Sequence, residues 1–293
     1  MTTRRYYSSD LTNREWAILE PLIPPPKPGG RSVSWERREI VDAILSILRS
    51  GCVWRLLPHD FPPWQTAYHY FRLWRIDGTW ERVHTRLREQ ARRRAGRQSS
   101  PSAAVQDASV GQDDGKRGPR GYDEGSKVKG RKRHLLVDTQ GFVLQPVVHP
   151  ADVADRDGGK LVLERLGPVQ ERFPRLRHRW LDSAYQGPFE DWVKATFGWS
   201  VEVVKHWWTG LRSVWVAPGQ EPPTLPSGFH VLPHRWIVER TFGWLGRHRR
   251  LSKDYESLPE TSETWIYVAM SRLMVRRLAR EEVEPPFHYR RPA

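Results

Sequence analysis

Apolar positions recur at helical spacing through the first third of the chain, then give way to short apolar runs broken by turns. Thr12 and Glu15 match a capping box and predict a short helix, closed by Pro21 and the prolines at 24–26. Ile40, Val41, Ile44, Leu45 and Leu48 fall on one face of a second helix, with Ser34 as its expected N-cap and Gly51 as its end. After a turn at Pro58, Pro62 and Pro63, residues 65–75 predict a third helix. It mixes aromatic and basic side chains: Tyr68, Tyr70, Phe71, Arg72, Trp74 and Arg75. Thr79 is the expected cap of a fourth, which runs into Arg92, Arg93 and Arg94. Helix, turn, helix with a basic outer face is compatible with major-groove docking, and Arg72 and Arg75 are the candidate DNA contacts. The alternative is a plain helical bundle whose aromatics are core.

The small, polar segment GRQSSPSA at 96–103 reads as a linker. Beyond it the period shortens. Strands are expected at 103–110, 133–137, 142–148, around Trp180–Leu181 and at 201–204, the second and third forming a hairpin about Asp138 and Gly141. Helices are expected at 155–166, 188–197, 233–250, with Val238, Phe242 and Leu245 on one stripe, and 260–280, capped by Thr261 or Ser262. Strands interspersed with helices make this part α/β. The expected division is a helical DNA-binding domain at 1–95, the linker, an α/β domain at 104–282 and a tail at 283–293. A segment rich in tryptophan and proline at about 206–230, with Trp207, Trp208 and Trp215, lacks periodicity and reads as an insertion.

Charge changes the picture. Lys plus Arg total 48 against 34 Asp plus Glu, a net +14, and such an excess favours a polyanionic partner, because neutralising phosphates releases counterions. Arginine supplies most of it, and its planar fork suits phosphate, although a GC-rich genome would also favour arginine codons. One cysteine, Cys52, excludes an internal disulfide framework and an all-cysteine zinc site. The first residues lack the apolar core of a signal peptide and no run approaches a membrane span. A cytoplasmic, nucleoid-associated protein is expected.

Three acids sit where a carboxylate needs a reason. Asp107 lies inside an apolar strand, AAVQDASV, where burial is costly without a partner or metal. Asp182 ends a second strand, RWLDSAYQG, and Glu239 is mid-helix in HRWIVERTFGWL. An acid at a strand end is often only a turn or cap residue; the order of strand Asp, strand Asp, helix Glu is what sets these apart. Between the first strand and the hairpin runs GKRGPRGYDEGSKVKGRKRH. Its Lys127, Lys129, Arg131, Lys132 and Arg133 are candidate phosphate contacts, the alternative being a solvated loop.

These segments carry a resemblance. LTNREWAILEPLIPPPKPGGR, LRSGCVWRLLPHDFPPWQTAYHYFRLWRIDGTWERVH, RGYDEGSKVKGRKRHLLVDTQGF, HPADVADRDG and VLPHRWIVERTFGWLGRHRRLSKDYE cover most of the chain. They resemble the bacterial insertion-sequence transposases of the DDE type, specifically the "insertion sequence five" family. The resemblance implies an RNase H-like catalytic domain, a mixed sheet flanked by helices, behind an all-helical N-terminal domain. It maps the catalytic, metal-binding acids onto Asp107, Asp182 and Glu239, with Mg2+ as cofactor and Mn2+ able to substitute. It implies double-stranded DNA partners, namely element ends and target, and a homodimer in the synaptic complex. In the Tyr-Arg-Glu-Lys signature of the wider group, Arg235 fits the arginine. Leu232 stands at the tyrosine position and Gly246 at the lysine position, with Arg247 adjacent as a candidate phosphate contact. Ala108, Ser109 and Gly111 depart from the usual residues after the first acid. Trp208 is a candidate for stacking on an extruded base, against packing in a core or dimer contact. The alternative to an active enzyme is a decayed or domesticated relative that only binds DNA.

Overall fold

The structure, a computed structural model, describes residues 4–25, 35–113, 115, 118–204 and 234–280. Helix α1 (Asn13–Leu19) starts on the expected capping box: the Thr12 hydroxyl accepts the Glu15 N–H at 3.2 Å, and the Glu15 carboxylate accepts the Thr12 N–H at 2.8 Å. Helix α2 (Arg37–Ser50) ends on Gly51 at φ 71°. A β-carbon there would lie 2.9 Å from Cβ of Arg249, so handedness and space both require glycine. The N-cap of α2 is Glu36; Ser34 lies outside the described residues.

Helices α3 (Trp64–Ile76) and α4 (Thr79–Arg94) follow. Thr79 is the first residue of α4 and not its cap. Gly78 occupies that position at φ 73°, and Asp77 Oδ1 accepts the Thr79 N–H at 2.9 Å. Phe71 and Trp74 of α3 are buried in the core, whereas Tyr70 is half-buried and Tyr68 exposed.

Among the described residues six strands form one sheet: β1 (Ala103–Gln112), β2 (Gly121–Asp123), β3 (Val128–Asp138), β4 (Val143–Pro150), β5 (His178–Asp182) and β6 (Ser200–Val204). The order is β2-β3-β1-β5-β6, with β4 also paired to β3. β1, β3 and β4 are antiparallel, whereas β5 and β6 extend the sheet in parallel from β1. Three antiparallel strands followed by two parallel ones, with helices on both faces, is an RNase H-like arrangement. The hairpin expected to begin at Arg133 in fact begins at Val128, and β2 has no counterpart among the expected strands.

Alternation along the strands divides the core in two. Ala104, Leu136, Leu144 and Val147 face helix α5 (Asp155–Arg165), helix α7 (Pro188–Phe197) and the neighbourhood of the short α6 (Val169–Arg172). Val105, Leu135, Val137 and Val143 face the other way, into one cluster shared by α1–α4, α8 (Arg235–Gly246), α9 (Arg249–Ser252) and α10 (Pro259–Ala279). Helix α10 is buried on nearly every side, touching α1, α2 and α4 as well as β4 and α8. The N-terminal helices and the sheet therefore share a single cluster across α10.

Two helix boundaries differ from expectation. The helix expected over 233–250 breaks into α8 and α9 at Arg247 and His248, where Gly246 offers little helix propensity and His248 turns extended. Neither Thr261 nor Ser262 caps α10. The helix begins at Pro259, and the Ser262 hydroxyl donates to Asp254 at 2.7 Å. No helix among the described residues is long and apolar enough to cross a membrane.

Charge also joins α4 to the sheet. Arg92 pairs with Asp138 at the β3–β4 turn, both side chains in the interior, and Arg88 Nη1 donates to the Val143 carbonyl at 3.3 Å. Removing one partner of a buried ion pair strands the other charge. Arg92→Met is therefore expected to lower unfolding free energy in urea by about 3–5 kcal/mol; a loss of a few tenths would show that this pair does not hold the layers together.

Candidate active site

The pairing of β1 with β5 sets the site. Gln106 lies opposite Leu181, so Asp107 and Asp182 come next along neighbouring parallel strands. Alternation turns Gln106 and Leu181 to the α5–α7 side and Asp107 and Asp182 to the other. Across that other face lies α8, which carries Glu239. Two contacts hold α8 there: Thr241 Oγ1 donates to the Gly141 carbonyl at 2.8 Å and Arg240 to the Gln140 carbonyl at 3.0 Å. At its start His234, at φ 66°, stacks on Trp180 with ring centroids 3.9 Å apart and planes 12° apart.

The three carboxylates are thus brought into one neighbourhood, with Arg235 among them. Its Nη2 lies 2.8 Å from Asp182 Oδ2 and its Nε 3.1 Å from Glu239 Oε1. Asp182 also caps the short turn that follows it, accepting from Ser183 Oγ at 2.8 Å and Ala184 N–H at 3.1 Å. Burial pushes the Asp107 carboxyl up to about 7; the Ala108 N–H and Arg235 oppose the rise, and Asp182 and Glu239 add to it. Asp107 and Asp182 line an open cleft of about 780 Å³ together with Arg235, Asp123, Asp155 and Lys132.

Sequence reasoning missed the wall of this cleft. Lys132 Nζ sits 2.7 Å from Asp123 and 2.9 Å from Asp155, tying β3 to β2 and to the start of α5. Tyr185, in the turn after Asp182, bonds through its hydroxyl to His134 Nδ1 at 3.0 Å. Burial holds His134 well below the usual histidine range, which keeps it neutral. Gly158 of α5 leaves room for His134 and His149, since a β-carbon there would lie 2.4–2.5 Å from their Nε2 atoms. Gly158, which closes HPADVADRDG, was the available signal.

The basic run divides. Lys127 and Lys129 are exposed. Arg131, Lys132 and Arg133, expected to contact phosphate, are buried and occupied, and the structure gives them another role. Arg131 donates to the carbonyls of Pro119, Glu256 and Ser257 and lies 3.4 Å from Asp254. Arg133 donates to the carbonyls of Leu251 and Lys253. Alternation along β3 puts Arg131 and Arg133 on one side, where they bind the sheet to the α9–α10 connection, and Lys132 on the other with Asp123 and Asp155. Arg72 and Arg247 are exposed and Arg75 is half-buried, all three away from the cleft lining. Trp208 and Leu232 lie outside the described residues.

Among the described residues no group of three or more His, Cys, Asp or Glu side chains is arranged to hold a metal ion; between Asp182 and Glu239 lies the Arg235 guanidinium. The donor chemistry nevertheless fits a hard divalent cation. All three groups offer oxygen, their mutual repulsion contributes to the rise at Asp107, and a cation already stands between two of them.

A family described as "Putative transposase of IS4/5 family" matches residues 11–84, and the transposase DDE domain matches residues 76–274. The chain is similar to the insertion element IS402 uncharacterized 16.2 kDa protein of Burkholderia cepacia, at 36% identity over 102 residues, 32% of this chain and 67% of that protein. Among solved structures it is similar to the Mos1 transposase paired-end complex with left transposon end, at 14% identity and a TM-score of 0.24. That match covers 61% of each chain and is too loose to carry an argument. With its catalytic region matched over 76–274, the chain belongs to the DDE transposase family.

Proposed function

We propose that this protein is an active transposase that binds the ends of a mobile element, cleaves the DNA there and joins the resulting 3′-hydroxyls to target DNA. The observation that carries the reading is that β1 and β5 bring Asp107 and Asp182 into one cleft, while α8 brings Glu239 up to them through Arg235, which pairs with both Asp182 and Glu239. In cleavage, water attacks phosphorus in line and the 3′-oxygen leaves as a hydroxyl. In joining, that 3′-hydroxyl attacks a target phosphodiester and a new 3′-hydroxyl leaves.

Asp107, Asp182 and Glu239 are the residues that would hold magnesium, or manganese in its place. When bound, such ions supply polarisation of the phosphate and stabilisation of both the attacking and leaving oxygens. The chain's own groups do the rest. The sheet fixes Asp107 and Asp182 on rigid neighbouring strands, and Thr241 and Arg240 fix the helix that carries Glu239. Arg235, once its two carboxylates serve another cation, offers its fork to a DNA phosphate. Exposed Lys127 and Lys129 border the same wall and contribute charge to the backbone track. Two ends must be held together for joining, so a homodimer in the synaptic complex belongs to this reading.

Two outcomes test it. With labelled duplexes carrying the element's own terminal repeats, Glu239→Gln is expected to retain binding and lose cleavage by at least ~100-fold, since removing metal-borne stabilisation costs several kcal/mol. Wild type that binds these ends and never cuts them in magnesium or manganese would leave only the DNA-binding alternative. The second outcome concerns pH in metal-free protein. A carboxyl raised from 3.8 to about 7 in the fold contributes stability that is complete below the lower value and lost as pH rises through the upper one. Asp107→Asn cannot ionise. In urea melts with chelator its stability should fall less steeply across that window, by up to about 1.4 kcal/mol per pH unit for one proton. Equal slopes for the two proteins would contradict the burial argument.

A further inference from the structure

The arginines that gather at the far end of α8 take no part in the site. From Glu239 to the end of α8 at Gly246 is about 10 Å of helix, and His248 follows two residues on. There His248 meets Arg49 of α2 and Arg272 and Arg276 of α10 around a groove of about 130 Å³. Arg276 also lines an adjoining groove of about 560 Å³ that reaches Arg280. Arg49 and Arg280 are exposed, and Arg49 Nη1 makes a hydrogen bond to the Arg247 carbonyl at 3.0 Å.

Among the described residues Glu15 is the acid in the lining of the larger groove, the smaller one being lined by none, and it is already committed. Arg272 takes it at 2.8 Å, leaving Arg276 a 3.8 Å approach with 59% of its side chain exposed. The crowding shows in the titration of its members. Burial, with Arg49, Arg272 and Arg276, pushes His248 down to about 4, and burial, then Arg272, with Arg49 and Arg280 also contributing, lowers Arg276. A fold gains nothing from like charges held together at its surface; a polyanion recovers that cost as binding energy.

The layout selects the polyanion. Arg272, Arg276 and Arg280 recur every fourth residue along α10 and just past its end, about 12 Å of one face; Arg272 is held by Glu15, and Arg276 and Arg280 are exposed with Arg49 across the groove. A line of forks across two joined grooves matches the repeated charge of a phosphodiester backbone better than one isolated phosphate. We propose that Arg49, Arg276 and Arg280 form a second duplex-DNA backbone contact, built jointly by α2 and α10 and separate from the acidic cleft. The proposal rests on the reading of this protein as a DNA-processing enzyme. It adds a location: the contact joins the helical layer to the last helix of the catalytic region, so both parts grip one duplex.

The test is binding of the full chain to a fluorescein-labelled duplex of arbitrary sequence, followed by anisotropy across a salt series. The triple variant Arg49→Gln, Arg276→Gln, Arg280→Gln removes three cations. It should flatten the plot of log affinity against log salt by about 0.9 for each phosphate that is no longer neutralised, roughly 2–3 in all. A control variant, Arg175→Gln, Arg177→Gln, Lys194→Gln, removes three exposed cations from the other side of the sheet and should leave the slope within about 0.9 of wild type. Circular dichroism checks that both variants fold; if the triple variant does not, Arg276→Gln alone is read, with an expected change of about one. Unchanged slope in a folded variant, or equal flattening in the control, overturns the proposal while the cleavage reading stands. Glu239→Gln separates the two from the other side, because loss of cutting with full slope retained leaves this DNA grip intact. A wild type that fails to bind duplex at low salt sinks both.

Discussion

Parallel pairing between β1 and β5 is the constraint from which the site follows. With Gln106 opposite Leu181, the next residue on each strand is an aspartate, and strict alternation turns both to the same face. A slip of one residue would send one of them into the α5–α7 core, among Leu181, Tyr185 and Phe189. The α8 helix then needs only to lie across that face, and Thr241, Arg240 and the Trp180–His234 stack hold it there. Charge repulsion among the acids is the cost of this arrangement, and in the metal-free chain Arg235 offsets part of it.

Net charge proves a poor guide to where DNA binds. Much of the arginine excess is structural: Arg88 and Arg92 join α4 to the sheet, Arg131 and Arg133 join the sheet to the α9–α10 connection, and Arg250 donates to Glu256 and Cys52. Guanidinium suits this use because one fork satisfies several carbonyls at once, as Arg131 does.

What was legible in the sequence had a local cause. The Thr12–Glu15 box and the Gly51 terminus are set by neighbours in the chain, and both are found as expected. The sheet and helices of the α/β part followed from period, and the family resemblance supplied their RNase H-like order. Asp107 stood out because a carboxylate in an apolar strand is costly. What was not legible depended on partners far away in sequence. Arg131 and Arg133 look solvated in GSKVKGRKRH until residues 251–257 come to meet them. The Lys132–Asp155 and Tyr185–His134 contacts likewise join segments 23 and 51 residues apart, and no spacing rule announces them.

In the proposed mechanism Asp107, Asp182 and Glu239 act as one cation site. Calorimetric titration of manganese into the metal-free protein tests it without DNA or catalysis. Wild type should take up the ion, and Asp107→Asn, Asp182→Asn and Glu239→Gln should each weaken that uptake while remaining folded. Equal affinity in all four proteins would contradict the account, because the three carboxylates would then not share a site.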